Sequence, residues 1–518
     1  MAQETKFKTV ALSLADLLGK EYVDAVVAAR VTMTGENEEP LRRLATQKVD
    51  FFPNDFQQAL TGLLPKVGSR IAPALRQSAD GASSREFNRA VKINMAPLTG
   101  WGYYRTGENG RLYFISKSEH YHVPLGHSFP GYRLVEHARR LGIPSATHNN
   151  TRGHITRLLE EELIRTVNGI GRDDEAALAK TLKSGRAGVL NRVLNLQTGS
   201  IAVEAGIKLM LAHFYRILPE SAKPRHEGRT PVIVVIGDPA GGLTANYHGT
   251  TVLTQMMRGM WPALAGGLDE LGLIKVVSVR PDNCEDLEAA FREYERKPYK
   301  IAGFVHEIIL MNYGGRRLSE EFIRRAYALC REHNVPAMTD EIQSCLWSPE
   351  LYMFREYGLE PSFVIVGKGF SGGEYAASRI IFSGDMDCLP QFGALVTNGQ
   401  EELASLAYLI TTRWAEQNSD VTRAIGDAYE AKLRGLVDRY PRHLTKIEGR
   451  RHLAAIYFHE LDKAKTFVKL LVDGGLDISV QAYKAECPPG AQTKLPLIAG
   501  SEAIEMVVDR MDRALRQL

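Results

Sequence analysis

Apolar segments alternate with amphipathic segments along the middle of the chain, and this alternation restricts the fold more than any other feature. After Thr198 a helical pattern runs from Ile201 to Arg216, and a second one runs from Ser319 to His333. Short apolar runs typical of buried strands surround them: Val232 to Ile236, Ile301 to Val305, Val335 to Asp340 and Phe363 to Val366. Strands that alternate with helices form covered, mainly parallel sheets, so the pattern predicts an α/β fold.

The chain of 518 residues exceeds the usual size of one domain, so we expect two lobes. Residues 1–95 carry helical apolar stripes and predict a helical N-terminal extension. Residues 96–150 contain a predicted β-hairpin and form the first part of a small domain. Residues 151–401 contain the alternating pattern and predict the large domain. Residues 402–518 combine long helices with a strand-like run from Leu453 to Phe458, and predict the C-terminal part of a smaller α+β domain.

The charge balance and the cysteines exclude several classes of function. A formal charge of +3, from 64 basic and 61 acidic residues, gives no general attraction to nucleic acid or to anionic membranes. The five cysteines are scattered and lack C-x-x-C spacing, which favours reduced thiols over a disulfide framework or a zinc site. We find no signal peptide, membrane-spanning stretch, P-loop, G-x-G-x-x-G motif or convincing metal-ligand spacing. These features predict a soluble cytoplasmic protein without a metal centre.

Lys368 follows the apolar run from Phe363 to Val366 and is enclosed by glycines. A lysine at the end of a buried strand is poorly hydrated, so the pKa of its amine falls and it can attack an aldehyde. Asp340 closes another apolar strand 28 positions earlier (368 − 340) and has the charge needed to hold a protonated pyridine nitrogen. The two residues predict a shared pyridoxal phosphate site, with Lys368 as the Schiff-base lysine.

Two further segments fit the same cofactor. Thr198, Gly199 and Ser200 precede a predicted helix, whose N-terminal N–H groups favour an anion such as a phosphate, although such residues also act as plain helix caps. Tyr247 offers an aromatic face to a cofactor ring, and His248 and Gly249 follow it.

Taken in order, these segments resemble the class III pyridoxal-phosphate-dependent aminotransferases, the family that contains ornithine, 4-aminobutyrate and ω-amino acid transaminases. The resemblance spans about residue 96 to the end of the chain. The matching segments are Leu125 to Pro130 (L-G-H-x-x-P), Thr198 to Glu204, Tyr247 to Gly249, Glu307, Asp340 to Gln343 (D-E-[VI]-Q), Gly367 to Gly369 and Thr397. The resemblance implies the aspartate aminotransferase-like fold, with a large domain built on a mainly parallel sheet and a smaller α+β domain.

The resemblance also implies a role for each matching residue. Gly199 and Ser200 bind the phosphate, Tyr247 stacks on the ring with His248 beside it in the motif, Asp340 pairs with the pyridinium, Gln343 approaches the ring hydroxyl, and Lys368 carries the cofactor. The residue that matches Thr397 reaches the phosphate of the neighbouring subunit. A homodimer with shared active sites is therefore expected.

Three departures from the family pattern are visible: one in the phosphate-binding motif, one after Gln343 and one in the last lobe. Ile201 replaces an acidic residue, and the segment from Ser344 to Pro349 lacks the usual G-x-G-R-T-G run. The last lobe has no arginine at the usual carboxylate anchor, where Lys484 is either a substitute or a plain surface charge. Glu307 is expected to orient Gln343 or a substrate-facing arginine, or else to form a plain salt bridge at the strand end.

The leading functional hypothesis is transamination from an amino acid or amine to a keto acid, with pyridoxamine phosphate as the form of the cofactor between the half-reactions. The alternative is an amino acid racemase, epimerase or decarboxylating enzyme of the same fold, because these use the same lysine. A noncatalytic binding protein that kept the fold is a third class, which the retention of both Asp340 and Lys368 argues against.

Overall fold

The N-terminal segment of the protein is mainly helical. The computed structural model describes residues 6–237, 246–396, 399–481 and 487–518. Before residue 96 its elements are β1 (Ala11–Leu12), α1 (Leu14–Leu18), α2 (Lys20–Thr34), α3 (Glu38–Thr46), β2 (Val49–Asp50), α4 (Asn54–Gly62) and α5 (Arg85–Ala90). Ser13 begins α1 because its side chain accepts the Asp16 N–H while the Asp16 carboxylate accepts the Ser13 N–H, a capping box.

A three-stranded antiparallel sheet follows, and it contains the predicted hairpin. The elements of this part are β3 (Pro97–Trp101), β4 (Tyr104–Gly107), β5 (Leu112–Phe114), one distorted turn α6 (Ser118–Tyr121), α7 (Arg133–Arg140), β6 (Ala146–Thr147), α8 (His154–Val167) and α9 (Glu175–Leu182). Strand β4 pairs with β3 on one side and with β5 on the other. The hairpin prediction is confirmed.

The central part of the chain alternates strands and helices. Its elements are β7 (Leu190–Leu196), α10 (Gly199–Leu211), β8 (Thr230–Ile236), α11 (Val252–Met257), α12 (Pro262–Glu270), β9 (Lys275–Val279), α13 (Cys284–Tyr294), β10 (Tyr299–His306), β11 (Ile309–Leu310), β12 (Arg316–Arg317), α14 (Glu320–Glu332), β13 (Ala337–Asp340), α15 (Met353–Glu356), β14 (Phe363–Val366) and β15 (Ser378–Ser383). The four strands predicted here are all present.

Among the described residues, seven strands form the largest sheet, in the order β7-β15-β14-β13-β10-β8-β9. Neighbouring pairs among β14, β13, β10, β8 and β9 are parallel, whereas β15 is antiparallel to both β14 and β7. Six of the seven strands therefore run in one direction, and their carboxyl ends lie along one edge. Ligands of such sheets bind at that edge.

The C-terminal part has a four-stranded antiparallel sheet in the order β17-β18-β20-β19. The elements are β16 (Gln400–Glu401), α16 (Glu402–Gln417), α17 (Ser419–Arg439), β17 (Leu444–Arg450), β18 (Leu453–Phe458), α18 (Leu461–Asp473), β19 (Ser479–Gln481), β20 (Gly490–Lys494) and α19 (Ser501–Leu515). The predicted strand from Leu453 to Phe458 is confirmed as β18. The division of the whole chain into four segments stays a prediction.

The sheet core explains why some elements were easier to predict than others. Strands β8, β13 and β14 are buried along their whole length, so their apolar runs are continuous. Strand β7 contains asparagine and arginine, and its middle residues are only partly buried, so it lacks such a run. Helix α10 ends at Leu211, five residues before the predicted end.

Within the described ranges no helix combines the length and the apolar character needed to cross a bilayer. Nor do His, Cys, Asp and Glu side chains in those ranges come together in a group that could hold a metal ion. The five cysteines all lie in the described ranges, and none of them takes part in a disulfide bond there.

Candidate active site

A cavity of about 260 Å³ lies at the carboxyl edge of the parallel strands. Seven residues predicted from the sequence contribute to its wall: Gly199, Ser200, Tyr247, His248, Asp340, Gln343 and Lys368. They come from the loops after β7, β8, β13 and β14. Since these strands are parallel and adjacent in the sheet, or separated by one strand, residues far apart in sequence meet in one site.

Lys368 follows β14 directly and has a left-handed backbone conformation, with φ of 44°. This conformation is uncommon for a residue with a side chain and costs about 1 to 3 kcal/mol, and such residues cluster at active sites. Burial lowers the pKa of the Lys368 amine below its usual value, while the carboxylates of Glu307 and Asp340 partly offset this effect. The amine is therefore easier to deprotonate than a surface lysine, as a nucleophile requires.

Asp340 is the last residue of β13 and is almost fully buried. Its Oδ1 accepts the backbone N–H of Ile342 at 3.1 Å, and its Oδ2 lies 2.9 Å from Nδ1 of the buried His248. Oδ1 therefore has a backbone donor, Oδ2 has a close contact with the His248 ring, and each oxygen retains a second lone pair for a ligand.

Glu307 follows β10 and is buried beside Asp340. Its Oε1 accepts the side-chain N–H of Gln343 and its Oε2 accepts that of Asn246, each at 2.9 Å. Burial and then the negative charge of Asp340 raise the pKa of Glu307 to about 8, although the two amide donors act in the opposite direction. Glu307 thus holds the Gln343 side chain by a hydrogen bond, and its role toward a ligand stays a prediction.

The N-terminus of α10 forms the next part of the wall. Thr198 occupies the N-cap position, but its side chain makes no capping hydrogen bond. The loop after Tyr247 packs tightly here, because Ser200 Oγ accepts the Thr250 N–H at 3.0 Å. A Cβ on Gly199 would lie 2.2 Å from Cδ1 of Ile342, so only glycine fits without moving that side chain. A helix N-terminus with this small residue is a site for a phosphate.

Tyr247 is half-buried in the cavity wall, and the guanidinium of Arg258 lies over its ring at 5.4 Å from the centroid. Such a cation–π contact contributes about 0.5 to 1 kcal/mol or more and fixes the ring. One face of the ring is thus in contact with Arg258.

The loop that begins at Gln343 is tied to the end of β20. Lys494, fully buried, donates from Nζ to the Gln343 carbonyl, and its Nζ lies 3.7 Å from the centre of the Trp347 ring. Trp347 in turn donates from Nε1 to the Leu495 carbonyl at 3.0 Å. The segment that departs from the family pattern is therefore a packed connection between the site and the C-terminal sheet.

A strained turn closes the other side of the cavity. Ser118, Glu119 and His120 have consecutive positive φ values of 45°, 48° and 57°, and His122 just after them lines the cavity. The turn is held by Glu119, whose carboxylate accepts from Arg105 and lies 3.0 Å from His127 Nε2.

Two predicted residues, Thr397 and Lys484, lie outside the described residues. The sequence did not single out Asn246, His122 or Lys494 as functional residues. Of these three, only Asn246 had a usable sequence signal, because it directly precedes the Tyr-His-Gly triplet and its amide can form hydrogen bonds. His122 and Lys494 carry no local signal, because only the tertiary fold brings His122 to the cavity wall and Lys494 to the Gln343 carbonyl.

The residues present fit pyridoxal phosphate. The cavity combines an amine with a lowered pKa, a fixed carboxylate, an aromatic ring and a helix N-terminus that a Cβ at Gly199 would crowd. These match the aldehyde, the ring nitrogen, the ring face and the phosphate of that cofactor.

Comparison with known proteins gives a family match and remote relatives. Residues 142–515 match the family model Aminotransferase class-III. Ornithine aminotransferase from Emericella nidulans is 26% identical over 287 residues, which are 53% of this chain and 58% of that protein. The 5-aminovalerate aminotransferase DavT from Pseudomonas putida is 25% identical over 261 residues, covering 48% of this chain and 56% of that protein. The chain thus spans about half the length of these curated relatives.

A solved structure extends the similarity of fold to most of the chain. Ornithine aminotransferase from Toxoplasma gondii, described with partial occupancy of PLP at its active site, superposes with a TM-score of 0.61 at 20% identity. The match covers 84% of this chain and 95% of that one. The large mixed sheet with its flanking helices is the fold that the two share.

Proposed function

The chain belongs to the class-III aminotransferase family, and from this we propose that it transfers an amino group from an amino acid or another amine to a keto acid, with pyridoxal phosphate as its cofactor. The observation that carries the proposal is the meeting of Lys368 and Asp340 at one cavity. The relatives reported above are aminotransferases, which favours transamination over racemisation or decarboxylation.

Bound at this site, pyridoxal phosphate would supply an aldehyde that condenses with amines and a pyridinium ring that withdraws electrons. We assign Lys368 as the residue that tethers the cofactor covalently. Its lowered pKa supports this role, because the neutral amine is the nucleophile. When not bonded to the cofactor, the Lys368 amine would take and return the proton of the substrate carbon as a general base and acid.

The other residues bind and orient. Asp340 would accept the ring N–H, and its carboxylate would favour the protonated form of that nitrogen. Gly199 and Ser200 present the helix N-terminus to the phosphate. Tyr247 and His248 would lie beside the ring, and Gln343, hydrogen-bonded to Glu307, would approach the ring hydroxyl.

A homodimer with shared sites is part of the proposal. Thr397, by its match to the family motif, would reach the phosphate held by the other subunit. A mixture of Lys368→Ala and Thr397→Ala chains tests this, since a mixed dimer contains one site with both residues intact. Activity above that of either variant alone is expected after the chains are unfolded and refolded together. Activity equal to the sum of the separate variants would contradict shared sites.

On the substrate side, Glu307 and Lys484 are proposed to contact or orient the substrate. The names of the relatives suggest amino acids with a terminal amine, so ornithine and 5-aminovalerate are the first donors to test. Cysteines that form no disulfide bond among the described residues support a reducing compartment, and we keep the cytoplasm as the proposed location.

Covalent attachment of the cofactor to Lys368 is tested by reduction with borohydride. We expect reduction of the holoenzyme to fix the cofactor on Lys368, and Lys368→Ala to lose both this link and at least about 10³-fold of the turnover rate, because it removes the nucleophile and the proton carrier. The exposed Lys208, changed to alanine, is the matched control and should keep both. A cofactor fixed equally well in Lys368→Ala would exclude the assignment.

Reaction type is tested by mixing the holoenzyme with each donor in the absence of a keto acid. Transamination predicts accumulation of pyridoxamine phosphate and of the carbonyl product. Loss of optical activity of ornithine, the chiral donor, without pyridoxamine phosphate would instead identify a racemase, and release of carbon dioxide a decarboxylating enzyme.

A further inference from the structure

Five buried polar side chains form one chain of hydrogen bonds across the candidate site. In order they are Gln343, Glu307, Asn246, His248 and Asp340. The successive distances between donor and acceptor atoms are 2.9, 2.9, 3.4 and 2.9 Å. The chain joins Gln343, proposed for the ring hydroxyl, to Asp340, proposed for the ring nitrogen.

Asn246 is the middle member and decides the direction of these bonds. Its Nδ2 lies 2.9 Å from Glu307 Oε2 and 3.4 Å from His248 Nε2, so one amide nitrogen serves both neighbours. An amide nitrogen carries two hydrogens and accepts none, so both neighbours must accept. Within the described part of the chain, the buried Oδ1 of Asn246 has no hydrogen-bond partner, so the Nδ2 side holds the group in place.

These hydrogen bonds determine the tautomer of His248. The hydrogen bond made by one imidazole nitrogen sets which nitrogen carries the proton. If Nε2 accepts from Asn246, the neutral ring carries its proton on Nδ1, which lies 2.9 Å from Asp340 Oδ2. The opposite tautomer would place two lone pairs against each other at that contact and two donors against each other at Asn246.

Burial and anchoring make this arrangement rigid. Asn246 is 0% exposed, and its backbone N–H donates to the Ile236 carbonyl at the end of β8 at 2.9 Å. The backbone of Asn246 is thus held in place, and the two contacts of Nδ2 define which side of the amide meets its neighbours.

We propose that Asn246 is a positioning residue that donates to both Glu307 and His248, and so fixes His248 as the Nδ1–H tautomer that donates to Asp340. Asp340 is then kept as an acceptor directed at the ring nitrogen, while Glu307 stays directed at Gln343. The part of the inference that concerns the cofactor rests on the proposed function. The tautomer of His248 is a property of this chain alone.

The tautomer can be measured in the unaltered protein. The full chain labelled with ¹⁵N-histidine is examined by NMR with and without pyridoxal phosphate, and the His248 signal is assigned by its loss in His248→Gln. We expect a protonated Nδ1 and an unprotonated Nε2 in both states. A protonated Nε2 in the wild-type chain would overturn the proposal.

Asn246→Asp tests the direction of the bonds, because it exchanges the double donor for an acceptor of the same shape. The introduced carboxylate would then share a proton with Glu307, and His248 Nε2 would be protonated to donate to that carboxylate. The other charged or titratable groups close to His248 are Asp340 and His306, and Lys368 lines the same cavity; all three remain in the variant. Retention of an unprotonated Nε2 in a folded Asn246→Asp chain would contradict the proposal.

The matched control is Asn195→Asp. Asn195 is also a buried asparagine that donates to a carboxylate, with Nδ2 at 2.6 Å from Glu160 Oε1. In the holoenzyme, the pH midpoint of the absorbance of the bound cofactor should move by about 0.5 unit or more in Asn246→Asp and stay in place in Asn195→Asp. Equal shifts in the two variants would mean that Asn246 has only a structural role and would contradict the proposal.

The two proposals fail in different ways. If pyridoxal phosphate does not bind or is not fixed by borohydride, the proposed function fails, while the NMR signal of the cofactor-free chain still decides the role of Asn246. If the cofactor binds and turns over but His248 is protonated on Nε2, only the inference about Asn246 fails.

Discussion

Glu307 is a carboxyl group whose burial makes the protein sensitive to pH. Its pKa is raised from 4.5 to about 8 by burial and by Asp340. Between these values the native state binds a proton that the unfolded chain has lost. The contribution of this proton to the free energy of unfolding is therefore fully present below pH 4.5 and is lost as the pH rises to about 8.

Glu307→Gln should remove this part of the pH dependence. In urea unfolding of the cofactor-free chain, the free energy of unfolding of the wild type should fall relative to the variant by a few kcal/mol between about pH 5 and pH 8, at about 1.4 kcal/mol per pKa unit. Burial raises the pKa of Glu341 to about 7, so a slope in the same pH range remains in both proteins.

The exposed Glu332, changed to glutamine, is the control for the loss of one acidic residue. The free energy of unfolding of this variant should depend on pH in the same way as that of the wild type. Parallel curves for Glu307→Gln as well would mean that Glu307 is ionised in both states and would contradict the raised pKa.

Individual site residues were predictable where a local sequence pattern marks them. Lys368 and Asp340 each end an apolar run, so the strand pattern alone pointed to them, and the resemblance added Gln343. Asn246 and Lys494 have no such mark. Their importance comes from neighbours 61 and 151 positions away in sequence, which only the fold brings into hydrogen-bond distance.

At the scale of the element, the start of α10 depends on a close approach. Gly199 leaves no room for a side chain beside Ile342, which itself lines the cavity. A methyl group at position 199 would push Ile342 toward the space proposed for the cofactor.

Gly199→Ala should therefore weaken the binding of pyridoxal phosphate by about tenfold, or about 1.4 kcal/mol. Binding is measured by titration of the cofactor-free chain. Adding Ile342→Val removes the Cδ1 atom and should restore much of the affinity. Gly435→Ala is the control, because a Cβ there meets nothing within 4 Å. Failure of Ile342→Val to restore binding would show that the clash is not the cause.

The elements themselves were predicted unevenly, for a physical reason. The inner strands are covered on both faces and show as continuous apolar runs. Strand β15 follows the lysine loop and returns antiparallel between β14 and β7. The apolar pattern does not encode the order or direction of strands, so this placement was not predictable from the sequence.

At the scale of the whole molecule, an apolar surface supports the proposed dimer. Phe87 and Val91 are 74% and 54% exposed, and Ile93 and Leu98 close by in the sequence are also exposed. Neighbouring exposed apolar side chains mark interaction sites more often than single ones do. A second copy of the chain is the partner that shared active sites require.

The holoenzyme should have about twice the chain mass of 57.5 kDa in light scattering coupled to gel filtration. Phe87→Asp should shift the mass toward that of the monomer at low protein concentration, because it places a charge in an apolar interface. Met33, which is 75% exposed on α2, gives the matched control Met33→Asp, with no change in mass. A monomeric wild type, or a dimer insensitive to Phe87→Asp, would count against this surface.

Trp347 connects the C-terminal sheet to the loop of Gln343, through its bond to Leu495 and its contact with Lys494. An indole whose ring lies against an amine emits light that depends on that contact. Any displacement of the C-terminal sheet that separates the pair would change this emission. The protein thus contains an intrinsic fluorescent probe of domain movement, one of only four tryptophans in the chain.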